Sequence, residues 1–211
     1  MAYVADQETI GGYTVKVEAD DTGGYESPRE WDNVGTMVCW HRRNNLGDRK
    51  PTESEENALQ RGGFGLLERY LRRYEGATTV LPLALLDHSG LHMWIGSQAH
   101  WSDSAGWDSG LVGFIYDSKE GREKCGTDLE HVQACLEGEV ETYDDCLTGN
   151  VWGYVVEDED GDVLDSCWGF YGDDGRKEAL AQGRSSAEGY DRENQAQEER
   201  EQATASVICY S

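Results

Sequence analysis

Positive charge is what this chain lacks most. Lysine and arginine number 18 against 42 aspartates and glutamates in 211 residues, a formal charge of −24. Neutralising phosphates takes surplus cations, so the balance argues against DNA, RNA or an anionic membrane as a direct partner, and points to basic surfaces instead. Long apolar runs are also missing. No stretch approaches the roughly 18 residues of a membrane-crossing helix, and the opening MAYVADQETIGGY has no basic and apolar leader pattern. Aliphatic bulk is thin: Leu, Ile, Val and Phe make 37 residues, close to the compositional range of disorder. Seven tryptophans and eleven tyrosines restore buried area. The expectation is one acidic folded domain over 1–171 and a polar, disordered tail over 172–211, where Leu180 is the lone larger aliphatic before Val207.

The six cysteines, Cys39, Cys125, Cys135, Cys146, Cys167 and Cys209, form no C-x-x-C pair and share no zinc-ligand spacing with the five histidines. Reduced, mostly buried thiols are expected, with neither metal nor cofactor. An EF-hand aligned on Gly161 would place Val156 and Cys167 at ligand positions, which rejects it.

Period-two or apolar β-rich segments predict strands at Tyr13–Ala19, Val34–Trp40, Val80–Leu86, Leu91–Ile95, Leu111–Tyr116, Val151–Val156 and Val163–Tyr171. The last two flank Glu157–Asp162, whose Asp160-Gly161 dipeptide suits a hairpin turn. Helical spacing predicts Phe64–Tyr74, and Asp128–Leu147 with Leu129, Val132, Leu136, Val140, Tyr143 and Leu147 on one face. Strands and helices mix without βαβ alternation. The class is therefore α+β: a mixed or antiparallel sheet with one or two packed amphipathic helices.

Two thirds of the net charge falls in residues 87–171, which hold 19 acids and 3 bases. Glu130, Glu137, Glu141, Asp144 and Asp145 lie within one sector of the second helix, and Glu157, Asp158, Glu159, Asp160 and Asp162 crowd the hairpin turn. Carboxylates repeated along a helix approximate the charge density of a duplex backbone. These ten residues are the expected partner-binding set. The expected partner is a basic protein or complex that normally binds nucleic acid, and the expected role is that of a non-enzymatic DNA mimic.

An enzyme of nucleotide or nucleic-acid metabolism is the alternative. Its candidate residues are Asp87, His88, Asp108 and Cys167, beside Trp107. Against it, adjacent Asp-His-Ser residues seldom reach triad geometry and suit a turn equally well. Cys167 and Cys39, each beside a tryptophan in an expected strand, suit inert core thiols. The basic stretch His41-Arg42-Arg43 with Arg49-Lys50 is expected to pair internally with acids. A virion structural or assembly protein is a third class.

Several segments together resemble a family of small phage-encoded proteins of no assigned activity. They are Pro28–Arg43 (PREWDNVGTMVCWHRR), Leu81-Pro82-Leu83, Asp87-His88-Ser89-Gly90, Trp107–Tyr116 (WDSGLVGFIY), Gly138–Asp144 (GEVETYD) and Asp165–Gly172 (DSCWGFYG). The resemblance spans roughly residues 12–172 and departs from the family around Gln98–Ala105 and in the tail. It implies a phage origin, action in the bacterial host cytoplasm, and by analogy a target among restriction, CRISPR or similar defence proteins.

Overall fold

A computed structural model describes residues 3–20, 26–100, 102–103 and 106–208; Trp101 and Cys209 lie outside the described residues. The chain is α+β and divides into two compact units, Glu26–Thr148 and the flanking Met1–Tyr25 with Gly149–Ser211, where composition alone suggests one domain.

In Glu26–Thr148, strands β3 (Gly35–Cys39), β4 (Val80–Asp87), β5 (Leu91–Ile95) and β6 (Ser109–Asp117) form an antiparallel sheet in the order β3-β6-β4-β5. Helices α1 (Glu53–Tyr74), α2 (Lys119–Cys125) and α3 (Val132–Thr148) belong to the same unit. Both sheet faces are covered. Met37, Leu83, Leu85, Met93 and Ile115 meet Val132, Leu136, Val140 and Tyr143 of α3. On the opposite face Val38, Val80, Phe114 and Tyr116 meet Ala58, Leu67 and Leu71 of α1. Two buried faces explain why β4 and β6 read as nearly continuous apolar runs. Each fully buried Leu, Ile, Met or Phe contributes about 1.5–3 kcal/mol.

One bulge adjusts this packing. Leu83 pairs with Gly113 and Ala84 with Leu111, leaving Val112 as the extra residue. Val112 and Ile115, an odd number of positions apart, thereby reach the same core. Gly113 is required there, since a Cβ would sit 2.3 Å from the Val38 carbonyl oxygen.

Carboxylates also build this unit. The Thr52 hydroxyl and the Glu55 side chain form a capping box at the start of α1, and Glu55 takes both Arg49 guanidinium nitrogens at 2.7 and 2.8 Å. Asp117, fully buried, accepts from the Thr78 and Thr79 amides, the Thr78 hydroxyl and Arg122.

The other unit is an antiparallel sheet in the order β1-β2-β7-β8, made from β1 (Val4–Ile10), β2 (Tyr13–Ala19), β7 (Val151–Glu157) and β8 (Val163–Tyr171). The expected β7–β8 hairpin is present. Helix α4 (Gly172–Ile208) lies on one face, where Ala179 and Ala187 pack with Val15, Val17, Tyr154 and Val156.

This helix replaces the expected disordered tail. Its inward stripe is made of small residues, with Gly172, Ala179, Gly183 and Ala187 buried. At Gly183 a Cβ would lie 2.6 Å from Val15 Cγ1, so the helix seats closer than a larger side chain permits. Tyr190 adds a ring contact to Tyr13 at 5.8 Å, and Arg176 and Arg184 reach Asp6 and Glu8 of β1. From Arg192 to Ala203 every side chain is exposed, so among the described side chains burial is confined to the first half of the helix.

Cysteine burial is uneven. Cys39 is buried, and burial pushes its thiol up to about 12, in keeping with an inert core role. Cys125 and Cys167 are exposed, which corrects the expectation of buried thiols; β8 is an outer strand and Cys167 sits on it. No helix among the described residues is long and apolar enough to cross a membrane.

Candidate functional site

From Cys125 to Gly175 the chain contains fifteen carboxylates and no lysine or arginine. The structure sorts the expected partner-binding residues by unit and by use. Glu130, Glu137, Glu141, Asp144 and Asp145 lie in Glu26–Thr148, and Glu157 to Asp162 in the other unit.

Helix α3 begins at Val132, not Asp128, so Glu130 sits in a preceding turn and Leu129 is 66% exposed rather than on the packed face. Of its acids, Glu137 and Glu141 are exposed one turn apart, and Glu137 accepts from the Gln133 amide at 2.8 Å. Asp144 turns inward. It accepts the Met93 N–H at 2.6 Å and stands 2.8 Å from His92 Nδ1; burial raises its carboxyl above the ordinary value, against the pull of those two partners. Asp145 is half-buried. Glu139, outside the expected set, is the most engaged: it accepts the Val34 and Gly35 amides and pairs with Arg29 at 2.9 Å.

In the hairpin, Glu157 pairs with Lys16 at 2.6 Å. The Asp158 carboxylate accepts the Asp160 and Asp162 amides at 3.0 and 2.9 Å, so it shapes the turn. Glu159, Asp160 and Asp162 remain exposed. Among the ten, Asp144 and Glu157 thus tie neighbouring elements together and Asp158 shapes its turn, a division that charge counting does not reveal.

The alternative catalytic residues meet in part. Leu86 of β4 pairs with Ser109 of β6, bringing the Asp87-His88 turn beside Trp107-Asp108. His88 Nδ1 is 2.9 Å from Asp108 Oδ2, and Asp87 faces His41 Nε2 at 3.2 Å and Arg43. A cleft of roughly 280 Å³ lies among His41, Arg43, Asp87, Trp107 and Asp108. Trp107 is 87% exposed at its rim. Cys167 belongs to the other unit and is not part of this group. His41 and Arg43 are members that sequence reading placed only as internally pairing cations, which Arg43 and Arg49 indeed are.

Asp103 braces this rim. Its carboxylate accepts the Ser109 hydroxyl at 2.8 Å and the amides of Trp107, Asp108 and Ser109, which hold it below the usual carboxylate range. The arrangement supplies two imidazole–carboxylate pairs, the orienting half of acid–base chemistry. Among the described residues beside these pairs, the Ser109 hydroxyl donates to Asp103 and that of Ser89 to the His88 carbonyl, so both are engaged.

For metal binding, Asp128, Glu130 and His131 place one ligand atom each within 4.8 Å of one another, all exposed. No protein-family model, curated protein or solved structure matches the chain. The class defined here is therefore architectural: an α+β protein of two antiparallel sheets, one covered on both faces and the other carrying a single long helix.

Proposed function

We propose that the protein is an acidic inhibitor that occupies the nucleic-acid groove of a basic defence protein in a bacterial host. The supporting observation is the base-free stretch Cys125–Gly175 with its fifteen carboxylates. Within it, α3 keeps charges that oppose its own stability. Glu137 and Glu141 repel at i,i+4, about 6 Å apart along the axis, and no cation sits in the last turn to meet the helix dipole. Repulsion retained at a cost to the fold is intelligible if a cationic partner relieves it. The interacting groups are Glu130, Glu137 and Glu141 on one unit and Glu159, Asp160 and Asp162 on the other. The phage resemblance directs the proposal to defence proteins.

The test is capture from nuclease-treated host lysate at low and high salt. One basic nucleic-acid-binding complex should be retained at low salt and lost at high salt. Replacing Glu130, Glu137, Glu141, Asp160 and Asp162 with their amides should abolish capture and leave the melting temperature equal or higher. Unchanged capture by that variant rejects the proposal.

The cleft lined by His41, Asp87 and Asp108, with His88 held against Asp108, favours a second reading, an acid–base enzyme acting on a small substrate. Point sensitivity separates the two. His88→Ala or Asp108→Ala should abolish an enzymatic function and leave a charge-spread mimic nearly unaffected.

A further inference from the structure

Helix α1 is broken in the middle. Gly62 (φ −153°, ψ 16°) and Gly63 (φ 62°, ψ −160°) leave helical geometry, and the Gly63 conformation is essentially confined to glycine. The break turns one helix into two arms. A groove of about 450 Å³ runs between them, with Asn57 and Arg61 on the first arm and Arg69, Tyr70, Arg73 and Tyr74 on the second.

The charge state of this groove is anomalous for such an acidic chain. Arg29, Arg43, Arg49, Arg72, Arg122, Arg176, Arg184 and Arg192 each hold a carboxylate. Among the described residues Arg61, Arg69 and Arg73 hold none, a lack shared with Arg42 outside the groove, although acids outnumber bases 42 to 18. The Arg69 Nε donates only to the Gly65 carbonyl, and the Arg73 guanidinium lies 5.7 Å from the Tyr74 ring centre. Arg69 and Arg73 also repel at i,i+4. Beside them the Tyr70 and Tyr74 rings stand 4.8 Å apart, and Tyr74 is 65% exposed.

We propose that this groove binds a nucleoside polyphosphate, its phosphates on Arg61, Arg69 and Arg73 and its base against Tyr74. Guanidinium forks match phosphate oxygens, and an exposed phenol ring gives a planar base a stacking face. The volume is in the range of small-molecule sites. A compact anion fits better than a nucleic-acid strand, because the field of a −24 protein repels a ligand in proportion to its charge, while the groove supplies only three cations. This site is independent of the partner-binding proposal and shares none of its residues.

The experiment is titration calorimetry of the full chain with ATP, tripolyphosphate, adenosine and a twenty-nucleotide single strand. ATP should bind; tripolyphosphate should bind at least fivefold more weakly, and adenosine not measurably. Arg69→Gln with Arg73→Gln should weaken ATP at least tenfold. Tyr74→Ala should weaken ATP and leave tripolyphosphate unchanged. Melting curves of each variant, all at exposed positions, verify folding. The proposal is overturned if ATP fails to bind at millimolar concentration, if the folded double variant binds it unchanged, or if the single strand binds more tightly than ATP.

Discussion

The two units differ in how many backbone amides their acidic residues gather. In Glu26–Thr148, carboxylates are internal fasteners: Glu55 ties α1 to Arg49, Asp117 gathers the Thr78–Thr79 amides and Arg122, and Glu139 joins α3 to Val34, Gly35 and Arg29. In the other unit the sheet and α4 meet through small residues, its acids bind single side chains (Asp6 to Arg176, Glu8 to Arg184, Asp165 to the Ser186 and Tyr154 hydroxyls), and Glu159, Asp160 and Asp162 stand exposed on the hairpin turn. The contrast shows that the sum of charges says little about their use. A carboxylate facing several amides strengthens a fold, whereas one facing only solvent and its own kind weakens it slightly.

The largest effect expected is at Glu139. Its removal leaves Arg29, whose side chain is 4% exposed, without one of its two carboxylates and orphans two amides. Glu139→Ala should lower unfolding free energy by about 3 kcal/mol in urea titration. A change below about 1 kcal/mol would break the comparison. Next, Gly183→Leu tests the other unit: with Val15 Cγ1 already 2.6 Å from a Cβ there, overpacking should cost about 2 kcal/mol and expose α4 to limited proteolysis. A stabilised variant would show that close helix–sheet approach is not what holds this unit.

Acid titration sharpens the first half of the comparison. Burial pushes the Glu55 carboxyl up, but Arg49 and the Thr52 amide and hydroxyl outweigh it and hold it low. A depressed folded value stabilises above the ordinary glutamate range near 4.3, and that contribution fades as pH falls through the folded value. Glu55→Gln should therefore destabilise at neutral pH and flatten the acid limb of the stability curve, read by denaturation from pH 7 to 3. Parallel curves would reject Glu55 as a fastener. The smallest effect belongs to Glu137→Gln with Glu141→Gln, which should raise stability by roughly 0.3 kcal/mol through lost repulsion. A loss of 1 kcal/mol or more would place these outward acids among the fasteners.

Strands were legible wherever apolar residues alternated or ran together, and seven of the eight lie close to their expected positions. The exception, β1 (VADQETI), is an edge strand with partly exposed polar side chains and little pattern to read. The first arm of α1 is hard to read because it carries few apolar residues, although Thr52 and Glu55 spell a capping box. Helix α4 is hidden for a different reason. Helical periodicity is sought among large apolar residues, and here the buried stripe is glycine and alanine, which composition reads as disorder. The cleft is half legible: Asp87, His88 and Asp108 stand out together in the sequence, but only the β3–β6 pairing adds His41 and Arg43, and Cys167 belongs to the other unit. Which acids are fasteners was not legible at all, since Glu137 and Glu139 differ only in the direction they face.

The Lys16–Glu157 bridge joins residues 141 apart in the chain, across strands β2 and β7. During synthesis at about 5–20 residues per second, β2 therefore waits on the order of ten seconds before its partner strand leaves the ribosome. Throughout that interval β1 and β2 are an orphan hairpin, too small to be stable alone. The intervening unit, Glu26–Thr148, is contiguous and is complete in the nascent chain before β7 is made. The fold thus matures from the middle outward, and a chain stalled after Thr148 would carry one finished unit and one unpaired β-ribbon open to chaperones and proteases.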